Sequence, residues 1–312
     1  TKKILGRIIS MRIPPFNPYI AIVIGVIAVS TSTIFVKLTD DTPAGIIAFY
    51  RLFIASLIMA PIIFTNYRHE LRLIQKKNWI YTILAGIFLA IHYILWFESL
   101  QYTTVLSSVV FVTTQPLFIF IISFILTQER FSSGSFISFV ITIFGSVILI
   151  WGDFDLNSIT WIGNLLALAG AMSMAIYLVF GKQTRKDTSL MTYTFIVYMV
   201  SSVTLLFYNI IMGNNFTGYH SFNWAIFVAL AIIPTFFGQS LFNWALKWLN
   251  NSTVSMAMVF EPVGASLLAY YILGENIQWY QVLGGSIVIF GLFLFILSTS
   301  RKTKVTISRK RS

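Results

Sequence analysis

The sequence predicts an all-α integral membrane protein with ten transmembrane helices, arranged as an inverted repeat of two five-helix units. Three observations support this fold class. Hydrophobic residues make up 57% of the 312 residues and charged residues only 10%, whereas a soluble domain carries about 25% charged residues. The hydrophobic residues form ten runs long enough to span a membrane, and positive charge accumulates on alternate sides of these runs. The second half of the chain also repeats the pattern of the first half.

The ten runs meet the length that a membrane requires, because a helix crossing about 30 Å of hydrocarbon needs about 20 mainly apolar residues. Turn-forming Gly, Pro, Asn and Asp residues separate several of them. The predicted spans are 18–37, 44–65, 79–99, 104–127, 132–151, 159–181, 189–212, 222–245, 252–273 and 278–298.

The positive charges orient these spans. Nineteen of the 21 Lys and Arg residues lie in the two terminal tails and the even-numbered loops, whereas the odd-numbered loops hold Asp and Glu instead. By the positive-inside rule, both termini are cytoplasmic, which suits a multi-pass protein of the cell membrane. The basic C-terminal tail is better explained as an orientation signal than as a nucleic-acid arm, because it has no aromatic residues to stack on bases.

An internal repeat divides the chain into two units. At a shift of 146 residues, Pro116 aligns with Pro262 and Glu129 with Glu275. At a shift of 145 residues, Lys37 of the first span aligns with Lys182 of the sixth. A unit of five helices is odd, so the second unit enters the membrane from the opposite side, as in carriers that work by alternating access. The predicted segments are a cytoplasmic tail over 1–17, repeats over 18–151 and 159–298, and a basic cytoplasmic tail over 299–312.

Two motifs in the repeats resemble those of the EamA family in the drug/metabolite transporter superfamily. They are Leu100-x-Tyr102-Thr103-(x10)-Thr114-Gln115-Pro116-(x12)-Glu129-Arg130 and Asn243-Trp244-Ala245-Leu246-(x14)-Glu261-Pro262-(x11)-Gly274-Glu275. The resemblance extends over residues 19–297 and implies ten helices around a central cavity lined by helices 1, 3, 4, 6, 8 and 9. It further implies export of amino acids or other metabolites, although some members of the family import.

Glu261 is the acidic residue that the sequence places deepest in the membrane. A charge in hydrocarbon costs about 2.5–3.5 kcal/mol, and Pro262 removes a backbone donor, so we expect a kinked, locally polar site there. Glu261 would serve either as a proton-coupling group or as a counter-charge for the solute. The alternative is a protonated or hydrogen-bonded carboxyl that ties helices together.

Aromatic and amide residues are the candidates for the cavity lining. His92, Tyr93, Trp96 and Phe97 would form an aromatic site in which His92 could also take part in proton coupling. Gln239 and Asn243 align with Tyr93 and Phe97 in the repeat and would form its amide side. Gln115 and Tyr177 are weaker candidates. Packing, or hydrogen bonding between helices, would equally explain all of these residues.

Other polar residues are expected to have structural roles. We expect Arg51 to extend its guanidinium toward the outer interface, the alternative being an anion site in a cavity. Glu129 and Glu275 precede helices 5 and 10, where a carboxylate stabilises the helix start. Gly163, Ala167, Ala171 and Ala175 are spaced by four residues and predict close helix packing.

The leading hypothesis is a secondary transporter, with export as the expected direction, for a small organic metabolite such as an amino acid or related amphiphile. No nucleotide-binding loop of the G-x-x-x-x-G-K-[ST] type occurs, so energy would come from a solute or proton gradient. A flippase for a lipid-linked solute is the alternative, and a membrane-embedded enzyme is disfavoured because catalytic motifs are missing. We expect no cofactor or metal, no nucleic-acid partner, and a monomer or homodimer in the bilayer.

Overall fold

The structure is a computed structural model that describes residues 17–39, 41–127, 133–153, 159–185, 187–245, 249, 254 and 257–309. All regular elements in these residues are helical. The predicted tails, Glu129 and much of the start of the ninth predicted span lie outside the described residues.

The first half of the chain contains α1 to α7. Their bounds are α1 Pro18–Lys37, α2 Ala44–Ile62, α3 Arg68–Leu73, α4 Lys76–Tyr102, α5 Val105–Val112, α6 Gln115–Thr127 and α7 Ser133–Asp153. A π-helical segment, Ile63–Tyr67, joins α2 to α3 two residues after Pro61. At the start of α1, the Asn17 side chain accepts from the Tyr19 N–H and Pro18 occupies the first helical position, as favoured at helix starts.

The second half contains α8 to α13. Their bounds are α8 Thr160–Thr184, α9 Leu190–Ile211, α10 Ser221–Leu230, α11 Leu241–Ala245, α12 Glu261–Leu268 and α13 Trp279–Arg309. π-Helical segments Ala231–Ser240 and Ala269–Leu273 continue α10 and α12.

Seven helical stretches in the described residues are long and apolar enough to cross a membrane. Val105–Ile119 and Phe136–Leu149 are shorter apolar segments. The predicted span 104–127 is not one regular helix, because a turn at 113–114 separates α5 from α6. The count of ten spans and the inverted arrangement therefore stay predictions, whereas a multi-pass helical membrane protein is supported by the length and apolar composition of these stretches.

The outer surface of the bundle is apolar along whole helix faces. On α7, for example, Phe136, Val140, Phe144 and Val147 are all exposed. A soluble protein rarely leaves so continuous an apolar surface uncovered, whereas lipid chains would cover it.

Two antiparallel helix pairs form the most extensive contacts. In the first pair, hydrogen bonds link α4 and α8 at both ends. Near one end, Thr103 Oγ1 donates to Asn164 Oδ1 over 2.8 Å. Near the other end, Thr82 Oγ1 donates to Thr184 Oγ1 over 3.4 Å. The predicted small-residue stripe on α8 is buried, and a Cβ added to Gly163 would lie 2.9 Å from the Ser99 carbonyl oxygen. In the second pair, α7 and α13 approach at Gly145 and Gly284.

The two ends of the bundle differ in charge. We call the end that carries Arg72, Lys76, Lys182 and Arg185 the basic end. The opposite end carries Asp41, Glu98 and Glu275, and we call it the acidic end. The positive-inside rule predicts that the basic end faces the cytoplasm.

Candidate functional site

A cavity of about 320 Å³ penetrates the bundle from the basic end. Residues of both halves of the chain line it: Leu89, Tyr93, Met174, Tyr177, Leu178, Gly181, Lys182, Arg185, Leu190, Tyr193, Thr194, Tyr198 and Gln239. Lys182 and Arg185 are exposed at its mouth. With a rise of 1.5 Å per residue, the α8 lining from Met174 to Arg185 reaches about 16 Å into the bundle.

Four tyrosines contribute aromatic rings to the wall of the cavity. Tyr93, Tyr193 and Tyr198 are buried, and the rings of Tyr177 and Tyr193 are stacked with their centroids 6.5 Å apart. The wall thus combines aromatic faces with phenolic hydroxyls, and Gln239 adds an amide from the π-helical segment after α10. Such a surface suits a solute with an apolar body and a few polar groups.

The structure brings only part of the predicted site together around this cavity. Tyr93, Tyr177 and Gln239 are in its lining. The side chain of Asn243 lies outside the side chains that the structure describes, and Gln115 is half-buried at the first position of α6.

His92, Trp96 and Phe97 are buried beside Tyr93 on α4 but do not line the cavity. The Nδ1 atom of His92 lies 3.0 Å from the carbonyl oxygen of Gly170 on α8, so it carries the proton in this hydrogen bond. Trp96 Nε1 has no hydrogen-bond partner among the described residues. The His92 contact fits the packing alternative at this position.

Arg51 lies buried inside the bundle, not at the position expected for it. Its side chain is only 2% exposed, so the expected extension of the guanidinium toward the outer interface is wrong. Arg51 Nη1 donates to Ser32 Oγ over 2.6 Å and Nε donates to Thr235 Oγ1 over 3.2 Å. Its Cζ lies 4.6 Å from the centroid of the Tyr93 ring. Hydroxyls and ring faces from three other helical stretches therefore hold the cation inside the bundle, where the interface is out of reach.

Glu261 lies at the first position of α12, directly after a turn at 259–260. This break is the polar discontinuity that Pro262 predicts. The Glu261 side chain is half-buried, and its carboxylate forms no hydrogen bond with any residue that the structure describes. Its backbone carbonyl accepts from Ser30 Oγ over 3.3 Å. Arg51 is close enough for its positive charge to act on this carboxylate.

Glu275 stabilises a helix start other than the predicted one. Its Oε2 accepts from the backbone N–H of Val105 over 3.0 Å, at the beginning of α5 rather than of α13. Its Oε1 lies 3.3 Å from Lys37 Nζ at the end of α1. Turns of the chain bring Lys37, Val105 and Glu275 together at the acidic end, and sequence spacing does not reveal such a contact.

The described residues contain no group of three or more His, Asp or Glu side chains suited to hold a metal ion. The expectation that the protein needs no cofactor stays a prediction.

The sequence matches the EamA-like transporter family twice, over residues 17–151 and 161–297. An uncharacterized transporter of Archaeoglobus fulgidus is 24% identical over 276 residues, which cover 88% of this chain and 94% of that protein. The uncharacterized transporter YoaV of Bacillus subtilis is 27% identical over 270 residues, covering 84% and 90% of the two chains. In three dimensions, a chain of known crystal structure aligns with a TM-score of 0.63 at 18% identity and covers 90% of this chain and 98% of its own. Because the two matched segments together span most of its length, the chain belongs to the EamA-like transporter family.

Proposed function

We propose that this protein is a secondary transporter that exports a small organic metabolite, such as an amino acid or a related amphiphile, by alternating access. The observation that carries the proposal is the cavity between the two halves of the chain, with tyrosine rings and the Gln239 amide in its wall. Its volume falls within the range of small-molecule sites, about 300–1,000 Å³. The basic end would face the cytoplasm, so the cavity would load from the inside.

Paired helix breaks support alternating access. The turn at 113–114 precedes Gln115-Pro116, and the turn at 259–260 precedes Glu261-Pro262, 146 residues further along the chain. Discontinuous helices at corresponding positions of two repeats are typical of solute sites in carriers, because the interrupted helices offer backbone groups and a place to bend. The two breaks therefore favour a site between the repeats over a role in packing alone.

Glu261 is the proposed coupling group. It lies at one of the two breaks, and its carboxylate is within the electrostatic influence of Arg51. Proton uptake at Glu261 would leave Arg51 without its nearby counter-charge, so protonation would change how the site holds a solute. We expect a monomer to carry out this cycle, and a homodimer would hold two such sites.

The test compares metabolites inside and outside cells that lack or overproduce the protein, together with cells that produce Glu261→Gln. We expect one small solute to shift from the cytoplasm to the medium on overproduction, and the Glu261→Gln variant to abolish this shift. Glu98→Gln is the matched control, because Glu98 lies on α4 in a separate pocket at the acidic end and does not line the cavity at the basic end. It should export like the unaltered protein.

A different outcome would replace the proposal. If no soluble metabolite moves and a lipid-linked species instead accumulates in one leaflet, the protein is a flippase. If Glu261→Gln exports normally, the carrier stands but Glu261 only ties helices together.

A further inference from the structure

The charged residues in the described lining of the cavity are both positive. Lys182 and Arg185 lie at the mouth, and the described lining contains no Asp or Glu. Positive residues at a cytoplasmic helix end also follow from the positive-inside rule, so the mouth alone does not define a ligand. An independent positive charge lies deeper in the bundle.

Arg51 provides that charge behind the inner wall. Its Cζ lies 4.6 Å from the centroid of the ring of Tyr93, a lining residue. No carboxylate among the described residues is within ion-pair distance of Arg51. Glu261 acts on it from further away and does not line the cavity.

The hydrogen bonds of Arg51 to the described residues use only some of its donors. A guanidinium has five N–H donors, and the described hydrogen bonds of Arg51 use Nε and Nη1, both toward neutral hydroxyls. A cation that is 2% exposed and paired only with hydroxyls keeps a strong field, because a protein interior screens charge far less than water does. The inner part of the cavity, beside Tyr93, therefore lies in the positive field of Arg51.

The remaining wall defines the rest of the ligand. Leu89, Met174, Leu178 and Leu190 supply apolar contacts, and the tyrosine hydroxyls supply hydrogen bonds. The volume equals that of roughly ten liquid water molecules. An occupant of this size is a small molecule with one compact charged group and an aliphatic or aromatic body.

We propose that the cavity selects small organic anions, with a carboxylate held in the field of Arg51, Lys182 and Arg185 and an apolar body packed against the tyrosines. This inference rests on the proposed function, because it takes the cavity as the transport site. A positive charge elsewhere on the solute is not required, since no acidic side chain in the described lining would pair with it. An amino acid meets this requirement through its carboxylate. The corresponding amino acid amide does not, because its amide group carries no negative charge.

The test uses matched acids and amides: leucine and leucinamide, phenylalanine and phenylalaninamide, and 3-phenylpropanoate and 3-phenylpropanamide. Uptake into liposomes that contain the purified protein is measured for each compound by mass spectrometry, and protein-free liposomes give the passive leak. We expect acids to be carried with at least about thirtyfold higher apparent affinity than their amides, since leaving a buried charge without its partner costs 2 kcal/mol or more.

Variants separate the deep charge from the mouth. Arg51→Gln should weaken acid uptake at least about thirtyfold, and Arg51→Lys, which keeps the charge, should weaken it less. The double variant Lys182→Gln/Arg185→Gln alters only exposed side chains, so it remains informative if Arg51→Gln fails to fold. It should weaken acid uptake about threefold at low ionic strength and less at high salt. The matched control is Arg72→Gln/Lys76→Gln, which removes the same charge from the same end outside the cavity.

Each outcome decides the proposal. Equal uptake of acids and amides would overturn the anion selectivity while leaving transport itself intact. Equal effects of the two double variants would show a general surface potential and also overturn it. If no acid moves while the metabolite comparison identifies an exported solute, the proposed function survives and the anion class is wrong. If neither experiment detects transport, both proposals fall.

Discussion

Single side chains at the basic end join the two halves of the chain. Glu70 on α3 accepts hydrogen bonds from the backbone N–H and the hydroxyl of Ser189 and from the hydroxyl of Thr192. Ser189 is also the N-cap of α9. The Glu70 carboxylate therefore lies at the start of α9, where the helix dipole favours negative charge.

Replacing Glu70 by Gln should destabilise the protein by about 1–3 kcal/mol, because the amide offers one acceptor oxygen where the carboxylate offers two and removes the charge from its hydrogen bonds. The measurement is thermal unfolding of the protein in detergent, and the expected result is a lower midpoint. Arg72→Gln, an exposed change on the same helix, should leave the midpoint unchanged. An unaltered midpoint for Glu70→Gln would mean that water replaces these hydrogen bonds without loss.

At this scale the sequence predicts the cavity only in part. Tyr93, Tyr177 and Gln239 were identified because aromatic and amide residues stand out in apolar helices, and the repeat aligns Tyr93 with Gln239. The environment of Arg51 was not predictable, because Ser32 and Thr235 lie 19 and 184 residues away in sequence. The sequence feature that could have indicated this environment is a positively charged residue in an apolar helix with no acidic residue nearby in sequence.

At the scale of the helices, the close contact between α7 and α13 requires a residue without a side chain at position 284. A Cβ on Gly284 would lie 2.8 Å from Leu149 Cγ and 3.0 Å from the Gly145 carbonyl oxygen. A Cβ on the neighbouring Gly285 would lie no closer than 3.6 Å to any atom that it meets. The two adjacent glycines therefore lie in the same helix but differ in the room that each leaves for a side chain.

Gly284→Ala should therefore destabilise the protein by about 1–3 kcal/mol through overpacking, whereas Gly285→Ala should be neutral or slightly stabilising. The two substitutions gain the same helix propensity, about 1 kcal/mol, so their difference isolates the helix contact. Thermal unfolding of the two variants side by side provides the measurement. Equal midpoints would show that α7 and α13 separate easily enough to accept a methyl group.

The sequence predicts the positions of most helices, but it predicts the interruptions within them less accurately. Predicted spans such as 18–37 and 189–212 agree with α1 and α9 to within one residue at each end. The discontinuity before Pro262 was expected from the proline, but the corresponding turn before Pro116 was not. The π-helical segments were not predicted, because a shift from one hydrogen-bond register to another leaves the apolar pattern nearly unchanged.

In the molecule as a whole, the two ends differ in how a lysine at the same position of the repeat is paired. At the acidic end, Lys37, Val105 and Glu275 join the first half of the chain to the second. At the basic end, Lys182 is exposed at the mouth of the cavity and forms no ion pair with the described residues. The repeat aligns Lys182 with Lys37, so the same sequence position forms an ion pair at the acidic end and none with the described residues at the basic end. Alternating access would require the contact at Glu275 to break whenever the acidic end opens.

Glu275→Gln should shift the protein toward a state that is open at the acidic end. The reporter is Val105→Cys, whose position is 0% exposed in this structure and which would be the only thiol in a chain without cysteine. The ion pair is partly solvated, with side chains 24% and 20% exposed, so its loss should change the open population about fivefold, equivalent to about 1 kcal/mol. Labelling by a water-soluble maleimide should therefore be about fivefold faster in Glu275→Gln/Val105→Cys than in Val105→Cys alone.

Two controls distinguish opening from general loosening. Glu98→Gln removes an acid at the same end whose described hydrogen bond is to Tyr102 on its own helix, so labelling should stay at the Val105→Cys rate. Raising the salt concentration should speed labelling when Glu275 is present and have little effect once it is Gln, because salt screens a partly exposed ion pair. Identical labelling rates with and without Glu275 would mean that the apolar contacts around α5 hold the acidic end closed, and that the Lys37–Glu275 pair does not control access.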